Sequence, residues 1–140
     1  MEIFNYIINF IGFIDLEISW IFFLFFCFAS VLFLLKFFGY VGLYLYSAIA
    51  VIAGNIQVLK TVDFFYSFEP VALGTVLFTS TFLCTDILSE HYDSKKAKIN
   101  VLISFSGFLL MTIIMIFTIG FTESPNEYNF TIQKSLEIIF

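Results

Sequence analysis

Asp86 and Glu90 stand one helical turn apart in the apolar run "PVALGTVLFTSTFLCTDILSEHY", and Lys95, Lys96 and Lys98 follow a few residues later. Carboxylates are costly in a hydrocarbon environment, at least ~2.5 kcal/mol each at mid-bilayer. Such a pair titrates jointly and can take up a proton. It can also accept hydrogen bonds from a polar ligand, or simply mark a solvated helix end beside the lysines. Both the functional and the solvated reading fit the residues.

On a helix, residues three or four apart share a face, so Thr75, Thr79, Phe82, Asp86 and Glu90 line one side, with Ser89 beside them. A polar stripe in a membrane span is expected to face the bundle or a cavity rather than lipid. A second group lies upstream in "YSAIAVIAGNIQVLK", where Ser47, Ala50, Gly54 and Gln57 share a face and Asn55 sits next to it. Small residues there let helices approach closely, and the two amides can bond across an interface or reach a ligand. Ser104, Gly107 and Met111 read as a further packing seam, and His91 as a solvated residue.

No Cys–His or Ser–His–Asp arrangement, no HExxH and no glycine-rich phosphate loop occurs. No catalysis, cofactor or metal site is therefore expected. Cys27 and Cys84 form no CxxC pattern and read as packing residues. The net charge of −5, the lack of Arg and the absence of any basic cluster beyond Lys95, Lys96 and Lys98 speak against nucleic-acid binding.

The elements that position these residues follow from composition. Apolar residues make up 61% of the 140, charged residues only 12%, and mean hydropathy is +1.02. These values predict an integral membrane protein. The apolar runs lack the strict alternation of a membrane barrel, so each must satisfy its backbone internally as a helix. The class is all-α, a polytopic transmembrane helical bundle. Four spans are expected at about 18–36, 38–59, 70–90 and 99–121, followed by an amphipathic tail at 127–140 with Tyr128, Ile132, Leu136 and Ile139 on one face. Residues 3–14 are too short to span and read as an interfacial helix or as the start of the first span.

Pro70 suits the first turn of the third helix. That helix then places Asp86 about 6 Å inside its inner end. "HYDS" ends it and leaves the lysines in a loop. With the N-terminus outside, Lys36, Lys95, Lys96 and Lys98 fall on the cytoplasmic side and Lys60 and Lys134 outside, as the lysine rule favours.

"GLYLYSAIAVIAGNIQVLKTVDFF" and "LGTVLFTSTFLCTDILSEHYDSKKAK" resemble the queuosine precursor transporters, vitamin-uptake-type membrane proteins. The resemblance covers roughly residues 39–122 and is most specific at F-L-x-T-D-x-x-x-E-x-Y, from Phe82 to Tyr92. It implies import of a 7-deazaguanine base, such as preQ0 or preQ1, across the inner (cytoplasmic) membrane for tRNA queuosine salvage. Asp86 or Glu90 would accept the paired N–H donors of the guanine-like edge. Asn55 and Gln57 would read the remaining polar atoms, and Phe82 or Tyr92 would stack on the ring. The implied surroundings are membrane lipid and a small purine-like substrate, with no nucleic acid.

Two departures stand out. Asp93 occupies a place where the family usually has Gly, and it is expected to serve the same turn in a left-handed conformation. The family also resembles a six-span bundle, so the chain reads as the N-terminal part of a longer transporter, with C-terminal spans missing or an oligomer as its partner. Two other readings are a substrate-binding membrane subunit of an ATP-energised multi-component importer and a non-transporting fragment.

Overall fold

A computed structural model describes residues 2–64, 69–121 and 127–139. In chain order the elements are α1 (Glu2–Phe13), α2 (Leu16–Phe38), α3 (Tyr40–Gln57), β1 (Thr61–Val62), β2 (Val71–Ala72), α4 (Thr75–His91), α5 (Ser94–Gly120) and α6 (Glu127–Ile139). The all-α membrane class holds. Among the described residues α2, α3 and α5 are long and apolar enough to cross a bilayer. α4 has 17 residues, a rise of about 26 Å.

α2 turns into α3 at a single residue, Gly39, whose φ of 60° and ψ of −142° favour glycine. The two helices then fold back on each other so tightly that a Cβ at Gly42 would collide with the Leu34 carbonyl. α3 is the centre of the bundle and packs against α2, α4 and α5. Its neighbours run antiparallel in α4, where Tyr46 bonds Ser80 and Gly54 backs Phe78. They run parallel in α5, where Ser47 meets Asn100 and Ile52, Asn55 and Ile56 face Phe108 and Met111.

The buried apolar residues are Cys27 and Val31 from α2, Leu43, Tyr46 and Ala50 from α3, and Val76, Leu77, Cys84 and Leu88 from α4. α5 adds two buried residues, Asn100 and Ser104, both polar. This balance suits a membrane bundle, where lipid is as apolar as Leu and helices associate by close packing and hydrogen bonds. Both cysteines are free and buried, consistent with a packing role.

Three local expectations are corrected. Pro70 does not open α4. It precedes β2, which pairs antiparallel with β1 (Thr61 opposite Ala72, Val62 opposite Val71), and Leu73 N–H donates to the Lys60 carbonyl at 3.1 Å. This ribbon carries the chain across the end of α3, where a Cβ at Gly74 would lie 2.5 Å from the Gly54 carbonyl oxygen. The helix starts only after that crossing, with Thr75 Oγ1 donating to the Ala72 carbonyl at 2.8 Å.

The second correction concerns the lysines, which lie not in a loop but on the first turns of α5. The third explains it: Asp93 is extended (φ −176°) rather than left-handed, and its carboxylate caps the helix by accepting the Lys95 N–H at 3.1 Å. The turn therefore shrinks to Tyr92 and Asp93. It lies at the same end of the bundle as Gly39, because Tyr92 Oη stands 3.7 Å from where a Gly39 Cβ would be. Lys36, Lys95, Lys96 and Lys98 thus gather at one end and Lys60 at the other.

At the termini α1 is a separate helix, broken from α2 at Ile14 and Asp15. α6 carries Ile132, Leu136 and Ile139; the side chain of Tyr128 lies outside the described residues, as do residues 65–68 and 122–126.

Gly42→Ala should lower the midpoint of thermal unfolding in detergent by the equivalent of about 1–3 kcal/mol, the usual cost of overpacking. Gly107→Ala, where an added Cβ meets nothing within 4 Å, should leave it unchanged or slightly raised. Equal midpoints for the two variants would count against the tight α2–α3 hairpin.

Candidate functional site

α4 has two contrasting faces. The face against α3 is mostly small or aliphatic (Val76, Leu77, Ser80, Cys84 and Leu88), with the Phe78 ring laid over Gly54. The other carries Thr75, Thr79, Phe82, Asp86, Ser89 and Glu90, all exposed. The predicted grouping is therefore present, but its expected direction is not, since it points away from the bundle formed by α2, α3 and α5. The reason is steric. α3 presents Ser47, Ala50 and Gly54, against which the small and aliphatic residues of α4 and the Phe78 ring fit closely.

The outward face differs from every other outer surface of the bundle. α2, α3 and α5 expose many Phe, Ile and Leu side chains, whereas the large apolar residue that α4 exposes is Phe82, at 68%. Its hydroxyls are turned inward on their own helix. Thr79 Oγ1 donates to the Thr75 carbonyl (2.8 Å), Thr85 Oγ1 to Phe82 (2.8 Å) and Ser89 Oγ to Asp86 (3.0 Å). With their protons so used, these oxygens present lone pairs outward, and the two carboxylates add acceptors. The face is thus an acceptor-rich strip with one aromatic ring a turn before Asp86, suited to a ligand that presents N–H donors on a flat, stackable body.

Asn55 and Gln57 lie elsewhere. Because α3 and α4 are antiparallel, these amides are level with the start of α4, and Asp86 is about 16 Å further along at 1.5 Å per residue. The structure brings Phe82, Asp86 and Glu90 together and leaves the amides at the opposite end. Asn55 Nδ2 donates to the Val51 carbonyl at 2.8 Å, and its side chain borders a cleft of about 130 Å³ with Ile52, Ile56, Phe108, Met111, Thr112 and Ile139. Gln57 is half-buried, and its Oε1 has no hydrogen-bond partner among the described residues.

Tyr92 is engaged within the chain. Lys96 Nζ sits 3.7 Å from the centre of the Tyr40 ring and 4.9 Å from that of Tyr92, and the two rings meet edge to face at 5.8 Å. One ammonium group thereby bridges the α2–α3 and α4–α5 turns.

The buried polar centre was not foreseen from sequence as a connected set. Tyr46 Oη donates to Ser80 Oγ (2.7 Å), which donates to the Leu77 carbonyl (2.7 Å). Asn100 Nδ2 donates to Ser47 Oγ at 3.0 Å, and Asn100 Oδ1 has no partner among the described residues. The available signal was Asn100 itself, an amide opening the apolar run of α5.

Lys96→Gln should cost roughly 0.5–1 kcal/mol, as loss of a partly exposed cation–π contact does. Tyr40→Leu should match it while Tyr40→Phe, which keeps the ring, retains stability. Thermal unfolding of the three variants checks this, and equal losses for Phe and Leu would refute it.

Residues 72–140 match a family model described as "Putative vitamin uptake transporter". A probable queuosine precursor transporter from Bacillus subtilis (strain 168) is 35% identical over 121 residues, which are 86% of this chain and 51% of that protein. The chain thus spans about half the length of the curated relative it matches. No solved structure matches. Both matches include the Phe82–Tyr92 run within α4 and its following turn, so that run lies inside the region in which this chain is similar to these transporters.

Proposed function

We propose that this chain forms part of a transporter, not an enzyme, that imports a queuosine precursor across the cytoplasmic membrane, and that the outward face of α4 borders the substrate path. The observation that carries the reading is that face itself. In lipid, a span that exposes threonines and two carboxylates is costly, whereas the same residues along a polar path are useful. The substrate class, a 7-deazaguanine base such as preQ0 or preQ1, is supported by the similarity to the Bacillus protein.

In this reading Asp86 or Glu90 accepts the adjacent N–H donors of the base in bidentate fashion, and Phe82 stacks on its ring. Asn55 and Gln57 serve at the opposite end of the path, too far from Asp86 to hold the same bound base. Tyr92 reaches a substrate only when it leaves Lys96, so its stacking role is tied to opening of that end.

The test is queuosine content of tRNA in cells that neither synthesise nor import the precursors, expressing this chain and supplied with preQ0 or preQ1. Restored queuosine that falls at least tenfold with Asp86→Asn, at equal membrane abundance, is the expected result. Restoration that survives Asp86→Asn, Glu90→Gln and the double variant would remove the carboxylates from the path. Restoration that collapses on ATP depletion but survives loss of the proton gradient would make the chain the substrate-binding subunit of an ATP-energised importer.

A further inference from the structure

α1 has two unlike sides although it makes no part of the core. At 100° per residue, Asn5, Asn9 and Gly12 fall on one side and Ile3, Phe4, Ile7 and Ile11 on the other. The apolar side is uncovered: Ile3 is 79% exposed, Phe4 68% and Ile11 53%. Twelve residues rise about 18 Å, too little for a hydrocarbon core of ~30 Å, so α1 does not span.

What covers that side follows from connectivity. Only Ile14 and Asp15 separate α1 from α2, which must cross the bilayer, and Ser19 Oγ of α2 donates back to the Ile11 carbonyl at 3.4 Å. The end of α1 is thereby held at the level where α2 enters the membrane. A short amphipathic helix tethered there has lipid within reach of its apolar side along its whole length. We infer that α1 lies flat in the lipid interface of that leaflet, with Ile3, Phe4, Ile7 and Ile11 among the acyl chains and Asn5 and Asn9 toward water.

Charge narrows the lipid. No Lys or Arg precedes Lys36, while Glu2, Asp15 and Glu17 are acidic. Attachment is therefore driven by apolar burial and needs no anionic headgroup, in contrast to basic interfacial helices. Phosphatidylcholine suffices as the partner.

The test uses the whole chain in phosphatidylcholine vesicles, with a nitroxide placed at one cysteine substitution at a time along residues 3–13. Cys27 and Cys84 are both buried and are replaced by alanine in the background. The expected result is an oxygen-to-nickel-chelate accessibility ratio several-fold higher at Ile7→Cys and Ile11→Cys than at Asn5→Cys and Asn9→Cys, with a period near 3.6 and no trend along the helix. Adding phosphatidylglycerol should leave the pattern unchanged. A depth that rises steadily from residue 3 to residue 13 would overturn the inference, since α1 would then extend α2. Exclusion of both reagents at Ile7→Cys, with spin–spin broadening that disappears on dilution with unlabelled chain, would overturn it too, by showing a second copy on that face. Phe10→Trp in a Trp20→Phe chain with intact cysteines gives an independent reading: quenching by brominated lipid supports the interface position and its absence refutes it. Neither readout depends on uptake.

Discussion

The bundle depends on how closely other helices can approach α3. Gly42, Ser47, Ala50 and Gly54 remove side-chain bulk from that helix, so α2 and α4 reach near-backbone contact and α5 comes within hydrogen-bonding distance at Asn100. In a membrane this matters more than apolar area, because lipid offers apolar side chains as good a surrounding as protein does. The interior accordingly mixes small residues, two thiols and a few hydroxyl and amide bonds. Each such bond contributes roughly 0.6 kcal/mol in a membrane protein, so the set acts more to fix register than to supply stability.

The same constraint decides what faces outward. Once α4 gives its small and aliphatic side to α3, its threonines and carboxylates have no place in the bundle. The acceptor strip is thus a by-product of packing. The region of similarity to known transporters and the strip meet in one run of residues, Phe82 to Tyr92.

Much of this was legible in the sequence. Hydropathy alone predicts the membrane helices, and helical spacing predicts which residues of α4 share a face. The small-residue seam Ser47, Ala50, Gly54 was visible for the same reason. Direction was not legible, because periodicity gives the angle between residues on a helix but not which neighbour each side meets. The same gap hid the separation of Asn55 and Gln57 from Asp86, which depends on α3 and α4 running antiparallel. Short-range chemistry misled at Pro70 and Asp93. Each residue has two common uses, and the ribbon across Gly54 and the helix start at Ser94 selected the other one.

The two short turns carry a mechanical consequence. One residue joins α2 to α3, two residues join α4 to α5, and the Lys96 ammonium group links the pair at that end. At the other end the connection from α3 to α4 runs from residue 58 to residue 74, more than a dozen residues. Chain length therefore permits little sliding where the lysines gather and much more where the ribbon lies. The connections alone thus tie the helix ends more closely at the lysine end than at the end of Asn55 and Gln57.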